Sequence, residues 1–167
     1  MDRTRGDDTA AYEALFQRHQ RAVYGFLCRR VGDTERAGEL FQETWMKVHR
    51  GRNTWRTGQR FRPWLFGIAI NTARDAERRG RRRIQTVNLD DAPPSATQSS
   101  AHATRMTLER AIDRLPSNLR EAFLLGAVLG FDHREIAAQL GISPANARAR
   151  ISRARAALRK TLKADIQ

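Results

Sequence analysis

Apolar residues recur at three- and four-residue intervals in both halves of the chain, which is the spacing of amphipathic helices. In the first half this pattern predicts three helices, which cover residues 10–29, 34–50 and 61–80. Gly32-Asp33-Thr34 ends the first of them and offers an N-cap for the second. In the second half it predicts four more, which cover residues 104–115, 119–129, 135–140 and a last segment from Pro144 onward. The sequence therefore predicts an all-α fold.

A change in composition separates the two halves. Residues 84–103 are rich in Ser, Thr, Ala, Gln and Pro and lack apolar periodicity, as is typical of a linker. The pair Asp90-Asp91 makes this segment locally acidic between two basic flanks. We therefore expect two small helical domains, at residues 9–83 and 104–165, joined by a flexible linker.

The last predicted helix has one apolar stripe and an otherwise basic surface. Ser143 is a good N-cap, and Pro144 suits the first helical position because its missing N–H is not needed there. Arginines occupy the other faces, and no acidic residue follows until Asp165. One side of this helix is thus expected to pack on a protein core and the other to meet phosphate. The residues predicted to point inward are Ala147, Ile151, Ala154, Leu158 and Leu162.

A short helix and a glycine-containing turn precede the last helix, which is the helix-turn-helix pattern of DNA-binding proteins. Asp132 and Glu135 stand at the two positions of a capping box at the start of the short helix. In such a motif the N-terminal half of the second helix reads base edges, and flanking arginines contact phosphate. The residues predicted to contact DNA are Arg148, Ala149, Arg150, Ser152, Arg153 and Arg155.

The second predicted helix has an outer row with several acidic residues, which is unusual in a chain this basic. Two interpretations remain open: an ordinary solvated face, or a protein-binding face that is kept clear of DNA. The outer row consists of Glu35, Glu39, Gln42, Glu43 and Lys47. The inner row consists of Ala37, Leu40, Phe41, Trp45 and Val48.

The third predicted helix follows a polar loop at residues 51–60 that contains Trp55. Trp55 is either a plug in the core or part of a pocket for an unstacked base. A basic helix end beside an aromatic loop indicates a site for single-stranded or opened DNA, although the arginine run 81–83 alone would only be a solubilising tail. The inner stripe is predicted at Phe61, Trp64, Leu65, Ile68, Thr72 and Ala76. The polar residues off this stripe include Asn71, Arg74, Arg78 and Arg79.

The charge of the chain narrows the class of partner. Lysine and arginine number 31 against 18 aspartate and glutamate residues, a formal net charge of +13. Clustering of this charge favours a polyanion, and nucleic acid above all, over a basic protein without such a partner. A membrane-surface function is disfavoured because the basic helices carry short apolar residues instead of Trp, Phe and Leu. The sequence shows neither a signal-peptide core nor a membrane-spanning run, so we expect no membrane insertion and a cytoplasmic location.

Candidate catalytic and metal-binding residues are scarce in this sequence. Cys28 is the single cysteine, which excludes a disulfide framework, and we expect it to be a small core or half-buried residue. The histidines lack metal-ligand spacing, and Asp90-Asp91 in a linker does not make a metal site. A nuclease or methyltransferase would need clustered acids or a glycine-rich cofactor loop. We therefore expect no enzymatic activity, no cofactor and no metal.

Three blocks of the sequence, in this order, resemble the extracytoplasmic-function (ECF) sigma factors of bacterial RNA polymerase. Residues 33–47, with Glu39-Leu40-Phe41-Gln42-Glu43-Thr44-Trp45, resemble the family's helix that binds core polymerase. Residues 61–75 resemble its promoter-melting helix, at Trp64, Leu65, Ile68, Ala69, Asn71 and Asp75. The resemblance to its C-terminal domain lies at Leu115-Pro116, Arg120, residues 135–137, residues 140–142, Arg150 and residues 153–155. The similarity covers nearly the whole chain.

This resemblance implies an alternative sigma factor that binds core RNA polymerase and directs promoter-specific transcription initiation. The outer row of the second helix would bind the clamp helices of the β′ subunit, and the β subunit would be contacted as well. The last helix would recognise the −35 element of promoter DNA. The loop and the third helix would capture and melt the −10 element through Trp55, Asn71, Arg74, Arg78 and Arg79.

The resemblance also implies functions outside the two domains. The linker would run toward the active-site and RNA-exit channels of the polymerase, where Asp90 and Asp91 would mimic the charge of RNA. An anti-sigma factor would hold the protein inactive until a signal arrives. Gly38 stands where many relatives carry an acidic residue, which removes one expected polymerase contact.

The predicted base-reading positions depart from the family's pattern. Asn146 and Ala147 stand where a Thr-Val pair is common, Ala149 where Ser is common, and Ser152 where His or Phe is frequent. These departures leave the promoter sequence unpredictable. The alternative is a stand-alone helix-turn-helix transcriptional regulator with a dimerisation or sensing domain, which would bind a two-fold-related operator unaided. The order of acidic row, aromatic loop and basic helix argues against that alternative.

Overall fold

Every regular element in the described part of the chain, residues 9–54, 58–86 and 103–164 of the computed structural model, is a helix. The chain forms two compact units, Met1–Pro93 and Pro94–Gln167. We call them the first and the second unit. The predicted all-α fold with two helical domains is confirmed.

Over its described residues, the first unit consists of three long helices that pack on one another: α1 (Thr9–Val31), α2 (Thr34–Arg50) and α3 (Phe61–Thr86). A short 3-10 turn at Arg52–Thr54 follows α2. Asp33 caps α2, since its carboxylate accepts hydrogen bonds from the amides of Glu35 and Arg36 at 2.9 and 3.2 Å. This cap lies where the sequence predicts that the first helix ends and the second begins.

The core of the first unit is made by all three helices. From α1 the buried apolar residues are Val23, Phe26 and Leu27, and from α2 they are Ala37, Leu40, Trp45 and Val48. From α3 they are Leu65, Phe66, Ala69, Ile70, Ala73 and Ala76. A charged residue also lies in this core: Arg30, only 4% exposed, donates two hydrogen bonds to the Glu77 carboxylate at 2.5 and 3.1 Å. This two-point ion pair joins α1 to α3 and neutralises a charge that burial would otherwise penalise.

Two details of α3 differ from prediction. The predicted inner stripe is too narrow: Leu65, Thr72 and Ala76 are buried, but Phe61, Trp64 and Ile68 are only half-buried. The residues it omits are Phe66, Ala69, Ile70 and Ala73. Because α3 packs against both α1 and α2, a wider part of its circumference is covered than a single stripe provides. The helix also continues to Thr86, since Gly80 adopts an ordinary helical φ and does not stop it.

The second unit begins with α4 (Ala103–Asp113) and α5 (Ser117–Phe123), and α5 runs on into a π-helical turn, Leu124–Val128. Then come α6 (His133–Leu140) and α7 (Pro144–Ala164). The guanidinium of Arg120 donates hydrogen bonds to the carbonyls of Asp113 and Leu115 and so holds the α4–α5 corner. α7 packs against α4, α5 and α6 and is the central element of this unit.

The helix-turn-helix is formed by α6, a tight turn and α7. The turn begins at Gly141, whose φ of 65° is left-handed and favours glycine. Behind the motif lies Gly126 of the π-helical turn. A Cβ at this position would lie 2.9 Å from Ile151 Cδ1 and 3.3 Å from Ile136 Cδ1. The absence of a side chain at residue 126 therefore allows both helices of the motif to approach this turn.

Candidate nucleic-acid and polymerase interfaces

The surface of α7 follows the predicted division into inner and outer faces. Ser143 caps the helix, since its hydroxyl accepts a hydrogen bond from the Asn146 amide at 3.2 Å. Ala147, Ile151, Ala154 and Leu158 are buried as predicted, and Leu162 is half-buried. Among the residues predicted to contact DNA, the exposed ones are Arg148, Ser152, Arg153 and Arg155, whereas Ala149 and Arg150 are half-buried.

The arginines of α7 are not neutralised within the described ranges. No ion pair joins any of them to a described acidic residue, and α7 itself contains no acidic residue. Several of them surround a cavity of about 310 Å³ between α7 and the start of α6. The result is a concentrated positive potential on the helix that sequence reasoning assigns to DNA.

The start of α6 has the predicted capping box. The Asp132 carboxylate accepts hydrogen bonds from the Arg134 and Glu135 amides, both at 2.8 Å, and the Glu135 carboxylate accepts one from the Asp132 amide at 3.0 Å. These acids are thus engaged in fixing the first turn of α6. The capping box thus fixes where the first helix of the motif begins.

The outer row of α2 is exposed over most of its length. Glu35, Glu39 and Gln42 are exposed, and Glu39 accepts a hydrogen bond from Arg36 at 2.6 Å within the same helix. Gly38 lies among them, and a Cβ at this position would meet no atom within 4 Å. This part of the row is available for a protein partner.

At the C-terminal half of the same row, α2 and α3 share a network of ion pairs. Glu43 lies 2.9 Å from the Lys47 ammonium and 3.2 Å from the Arg79 guanidinium. Lys47 also donates to the Thr72 hydroxyl at 3.2 Å and lies 3.9 Å from Asp75. The sequence assigns Glu43 to polymerase binding and Arg79 to DNA binding, and the structure brings the two together.

The network also sets the ionisation of Glu43. Partial burial would raise the pKa of its carboxyl group, but the hydrogen bonds and positive charges of Lys47 and Arg79 outweigh burial and lower the pKa. Glu43 is therefore held in its charged form.

The DNA-binding residues predicted on α3 lie on the helix as a group. Asn71, Arg78 and Arg79 are exposed, and Arg74 is half-buried. Asn71, Arg74 and Arg78 are three and four residues apart, so they share one face of the helix. Trp55 lies outside the described residues, as do Asp90 and Asp91 of the linker.

An apolar groove between α1 and α2 is a feature that sequence reasoning missed. It is open, encloses about 700 Å³ and is lined mainly by Tyr12, Phe16, Phe41, Trp45 and Met46. The Tyr12 hydroxyl donates to the Trp45 carbonyl at 3.2 Å, and Met46 is 52% exposed. The sequence signal was Met46, an apolar residue one turn beyond Gln42 in the polar row of α2.

Two residues of the α6–α7 cavity, His133 and Arg159, are not in the set predicted to contact the −35 element; for Arg159 the sequence favours a contact with the DNA backbone or with solvent. The signal for Arg159 is its spacing, since it continues a stripe with Arg148, Ser152 and Arg155 at intervals of three and four residues. His133 lies at the start of a different helix, so no spacing in the sequence connects it with the residues of α7.

The described residues show no group of three or more His, Cys, Asp or Glu side chains placed to hold a metal ion. Cys28 is a free, half-buried thiol, as predicted. Within the same ranges, no helix is both long and apolar enough to cross a membrane.

Comparison with known proteins assigns both units. The family described as Sigma-70 region 2 matches residues 15–83, and the family described as Sigma-70, region 4 matches residues 105–158. The RNA polymerase sigma factor CarQ of Myxococcus xanthus is 40% identical over 165 residues, which cover 97% of this chain and 95% of CarQ. The ECF RNA polymerase sigma factor SigM of Mycobacterium tuberculosis is 29% identical over 93% of this chain and 79% of SigM.

A solved structure shows the same fold. The sigma factor RpoE of Bartonella quintana, determined in complex with the anti-sigma factor NepR, matches with a TM-score of 0.79 and 25% sequence identity. The match covers 93% of this chain and 98% of RpoE. The similarity thus extends over both units and is not limited to the helix-turn-helix.

Proposed function

Since the chain belongs to the ECF family of RNA polymerase sigma factors, it is an alternative sigma factor that directs promoter-specific transcription initiation, and we propose how its surfaces share that function. The first unit binds core polymerase and melts the −10 element, residues 84–103 link it to the second unit, and the second unit recognises the −35 element. The observation that carries this assignment is the distribution of charge: exposed acids on α2, and arginines without ion pairs on α7.

On α7, the exposed residues near its N-terminus enter the major groove. Arg153 has the length and the paired donors to bind a guanine edge, and the small side chains of Ala149 and Ser152 allow the helix to approach the bases. Arg148, Arg150 and Arg155 hold the flanking phosphates. The half-burial of Ala149 and Arg150 supports a position for both at the edge of this surface.

On α3, the shared face of Asn71, Arg74 and Arg78 runs along the melted non-template strand. Asn71 supplies a hydrogen-bonding amide to a base, and the arginines bind the strand's phosphates. Trp55, in the loop before α3, gives an aromatic surface for a flipped base of the −10 element.

On α2, the outer row binds the clamp helices of the β′ subunit. Glu35, Glu39 and Gln42 are exposed, and Glu39 is paired with the exposed Arg36 of the same helix. Glu43 and Lys47 continue the row but are already engaged with α3, so their contribution depends on exchanging an internal partner for one on the polymerase. The β subunit is contacted as well.

The protein acts with its polymerase in the cytoplasm and has no catalytic activity of its own. Because the similar RpoE was determined in complex with an anti-sigma factor, we infer that a partner of the same class controls this chain. Such a partner would compete with the polymerase for the free sigma factor.

The proposal is tested by in vitro transcription with core polymerase over a randomised promoter library. The expected result is holoenzyme formation and enrichment of one −35 and one −10 sequence. Specific operator binding by the purified chain alone, at a two-fold-related site, would instead favour the stand-alone regulator.

The docking assignment has its own test. Glu43→Arg should weaken holoenzyme assembly without unfolding the protein, because it reverses a charge on the docking row. The matched control is Glu13→Arg, which reverses an exposed acid on α1 outside this row. Equal assembly by both variants would remove Glu43 from the interface.

A further inference from the structure

The ion pairs around Glu43 join two surfaces of the first unit that have different proposed partners. Glu43 belongs to the outer row of α2, which is proposed to bind polymerase. Arg79 belongs to the residues of α3 that the sequence assigns to the −10 element. The Arg79 guanidinium donates a hydrogen bond to the Glu43 carboxylate at 3.2 Å. A partner that binds one of these two residues therefore also affects the other.

The two cations that bind Glu43 differ in the partners that they would keep without it. Lys47 also lies 3.9 Å from the Asp75 carboxylate and donates a hydrogen bond to the Thr72 hydroxyl at 3.2 Å. For Arg79, Glu43 is the sole ion-pair partner within the described ranges. If the Glu43 carboxylate were bound elsewhere, Lys47 would thus remain bound to α3, whereas Arg79 would lose its acidic partner.

Arg79 also lies next to the face of α3 that is proposed to bind the melted strand. It directly follows Arg78, which shares that face with Asn71 and Arg74, and its side chain is 58% exposed. A long side chain in contact with solvent exchanges between staggered rotamers, so the guanidinium is not confined to the side of α2. Arginine binds carboxylate and phosphate through the same planar donors. The Glu43 carboxylate therefore competes with a DNA phosphate for one guanidinium.

We propose that Glu43 masks Arg79 in the free protein, and that polymerase binding at Glu43 releases Arg79 to bind a phosphate of the melted −10 strand. The inference rests on the proposed function, in that the outer row of α2 must bind polymerase. The surface complementary to an acidic row is basic. A polymerase cation that approaches Glu43 weakens the attraction of the carboxylate for Arg79 and repels the guanidinium directly. Because coupling between two binding sites is reciprocal, a strand that captures Arg79 also strengthens polymerase binding at Glu43.

The size of this coupling is limited by solvent. The side chains of Glu43 and Arg79 are 35% and 58% exposed, and ion pairs of this kind are weak because water and salt screen them. We therefore expect the mask to lower the affinity of the free protein for single-stranded DNA by about twofold to fivefold. A factor of this size favours strand binding by the polymerase-bound form and leaves the free protein with measurable affinity.

The test measures the affinity of the full-length protein for fluorescent single-stranded oligodeoxynucleotides. For the free protein the probe has mixed sequence, because a phosphate contact does not depend on the base. Glu43→Gln should raise this affinity about twofold to fivefold more than the matched control Glu13→Gln, which removes the same charge from an exposed position on α1. In holoenzyme at saturating core polymerase, with the non-template strand of the −10 element as the probe, the difference between the two variants should disappear. Circular dichroism checks that each variant is folded.

Substitution of Arg79 tests the release. Arg79→Gln should lower strand affinity less in the free protein than in holoenzyme. Arg78→Gln, at an adjacent exposed arginine without an ion pair to a described residue, should lower it by the same factor in both states. Equal affinities of Glu43→Gln and Glu13→Gln in the free protein, or an equal loss for Arg79→Gln in both states, would overturn the mask. If the wild-type chain forms no holoenzyme, the proposed function fails, whereas the comparison of the two glutamate variants in the free protein still decides whether Glu43 masks Arg79.

Discussion

The first unit and helix α7 both carry many charges, but they organise them in opposite ways. In the first unit, Arg30, Arg36, Lys47 and Arg79 each form an ion pair, and two of these pairs meet at Glu43. On α7, no arginine forms an ion pair with any residue in the described ranges. Net charge alone would not distinguish these two arrangements.

The paired charges of the first unit stabilise the fold, whereas the unpaired arginines of α7 are available to bind a ligand. A paired cation orders its neighbours and produces little field at a distance, because its partner cancels it. An unpaired cation adds repulsion to the folded protein but concentrates potential where a polyanion can relieve it. Mutations of the paired charges in the first unit should therefore affect stability more, and mutations of the arginines on α7 should affect DNA binding more.

The largest effect on stability is expected at the buried pair of the first unit. Glu77→Ala removes the two-point partner of Arg30 and should destabilise the unit by about 2–3 kcal/mol, less than the roughly 3–5 of a fully buried pair because Glu77 is 39% exposed. Urea unfolding followed by circular dichroism measures it. The control is Glu39→Ala, which breaks an exposed pair and should cost under about 0.5 kcal/mol. Equal losses would show that burial of Arg30 is unimportant.

On α7 we expect the reverse: a substitution should lower DNA affinity and leave stability unchanged. Arg153→Ala should leave the unfolding transition unchanged but cost about 1–3 kcal/mol of promoter affinity, concentrated at one position of the −35 element. Binding of holoenzyme to a set of single-base promoter variants measures it. A loss that is equal on every variant would make Arg153 a phosphate contact.

A smaller effect, on the rate of promoter opening, is expected on α3, which carries both ion-paired charges and charges proposed to bind DNA. Asn71→Ala should slow promoter opening while leaving the closed complex nearly intact, at a cost of about 1 kcal/mol for one lost hydrogen bond. Substitution of Trp55 should act in the same direction. Closed-complex binding in the cold and the fluorescence of a base analogue in the −10 element measure the two steps. A larger defect in closed-complex formation would contradict the melting assignment.

The smallest effect, on the free energy of unfolding, is expected at the Glu43 network, and this effect depends on pH. Lys47 and Arg79 lower the pKa of Glu43 below its ordinary value of 4.5 despite partial burial, so its ionised form stabilises the fold. Wild-type protein should exceed Glu43→Gln in stability by at most about 1 kcal/mol, because these pairs are partly exposed. The advantage should be complete above pH 4.5 and disappear as the pH falls through the lower, folded-state pKa. Chemical unfolding across this range checks it, and a difference independent of pH would exclude the ion pairs as its cause.

Local signals in the sequence identified the helix starts. Asp33, Asp132 and Ser143 cap the helices that they were predicted to cap, because an N-cap depends only on residues within the next three positions. The inner face of α7 was likewise predictable, since a single stripe faces the rest of its unit. The helix-turn-helix and the exposed arginines of α7 followed from these two kinds of signal.

Contacts between helices far apart in sequence could not be read in the same way. The buried face of α3 is wider than a periodic stripe, since two helices cover it, and Phe66 and Ile70 were missed for that reason. The pair of Glu43 with Arg79 joins residues that only the packing of α2 on α3 brings together. The same holds for His133 and Arg159, which line one cavity from two helices.

Gly126 has a practical consequence for changing the promoter choice of this protein. The side chains of Ile136 and Ile151 occupy the space that a methyl group at residue 126 would need, so this glycine leaves room for one side chain from each helix of the motif. If the exposed positions of α7 read the −35 element as proposed, exchanging them for those of another sigma factor should change the promoter preference, provided that this trio is kept. An alanine at residue 126 would instead require Ile151 Cδ1, at 2.9 Å, and Ile136 Cδ1, at 3.3 Å, to move away from the added methyl group.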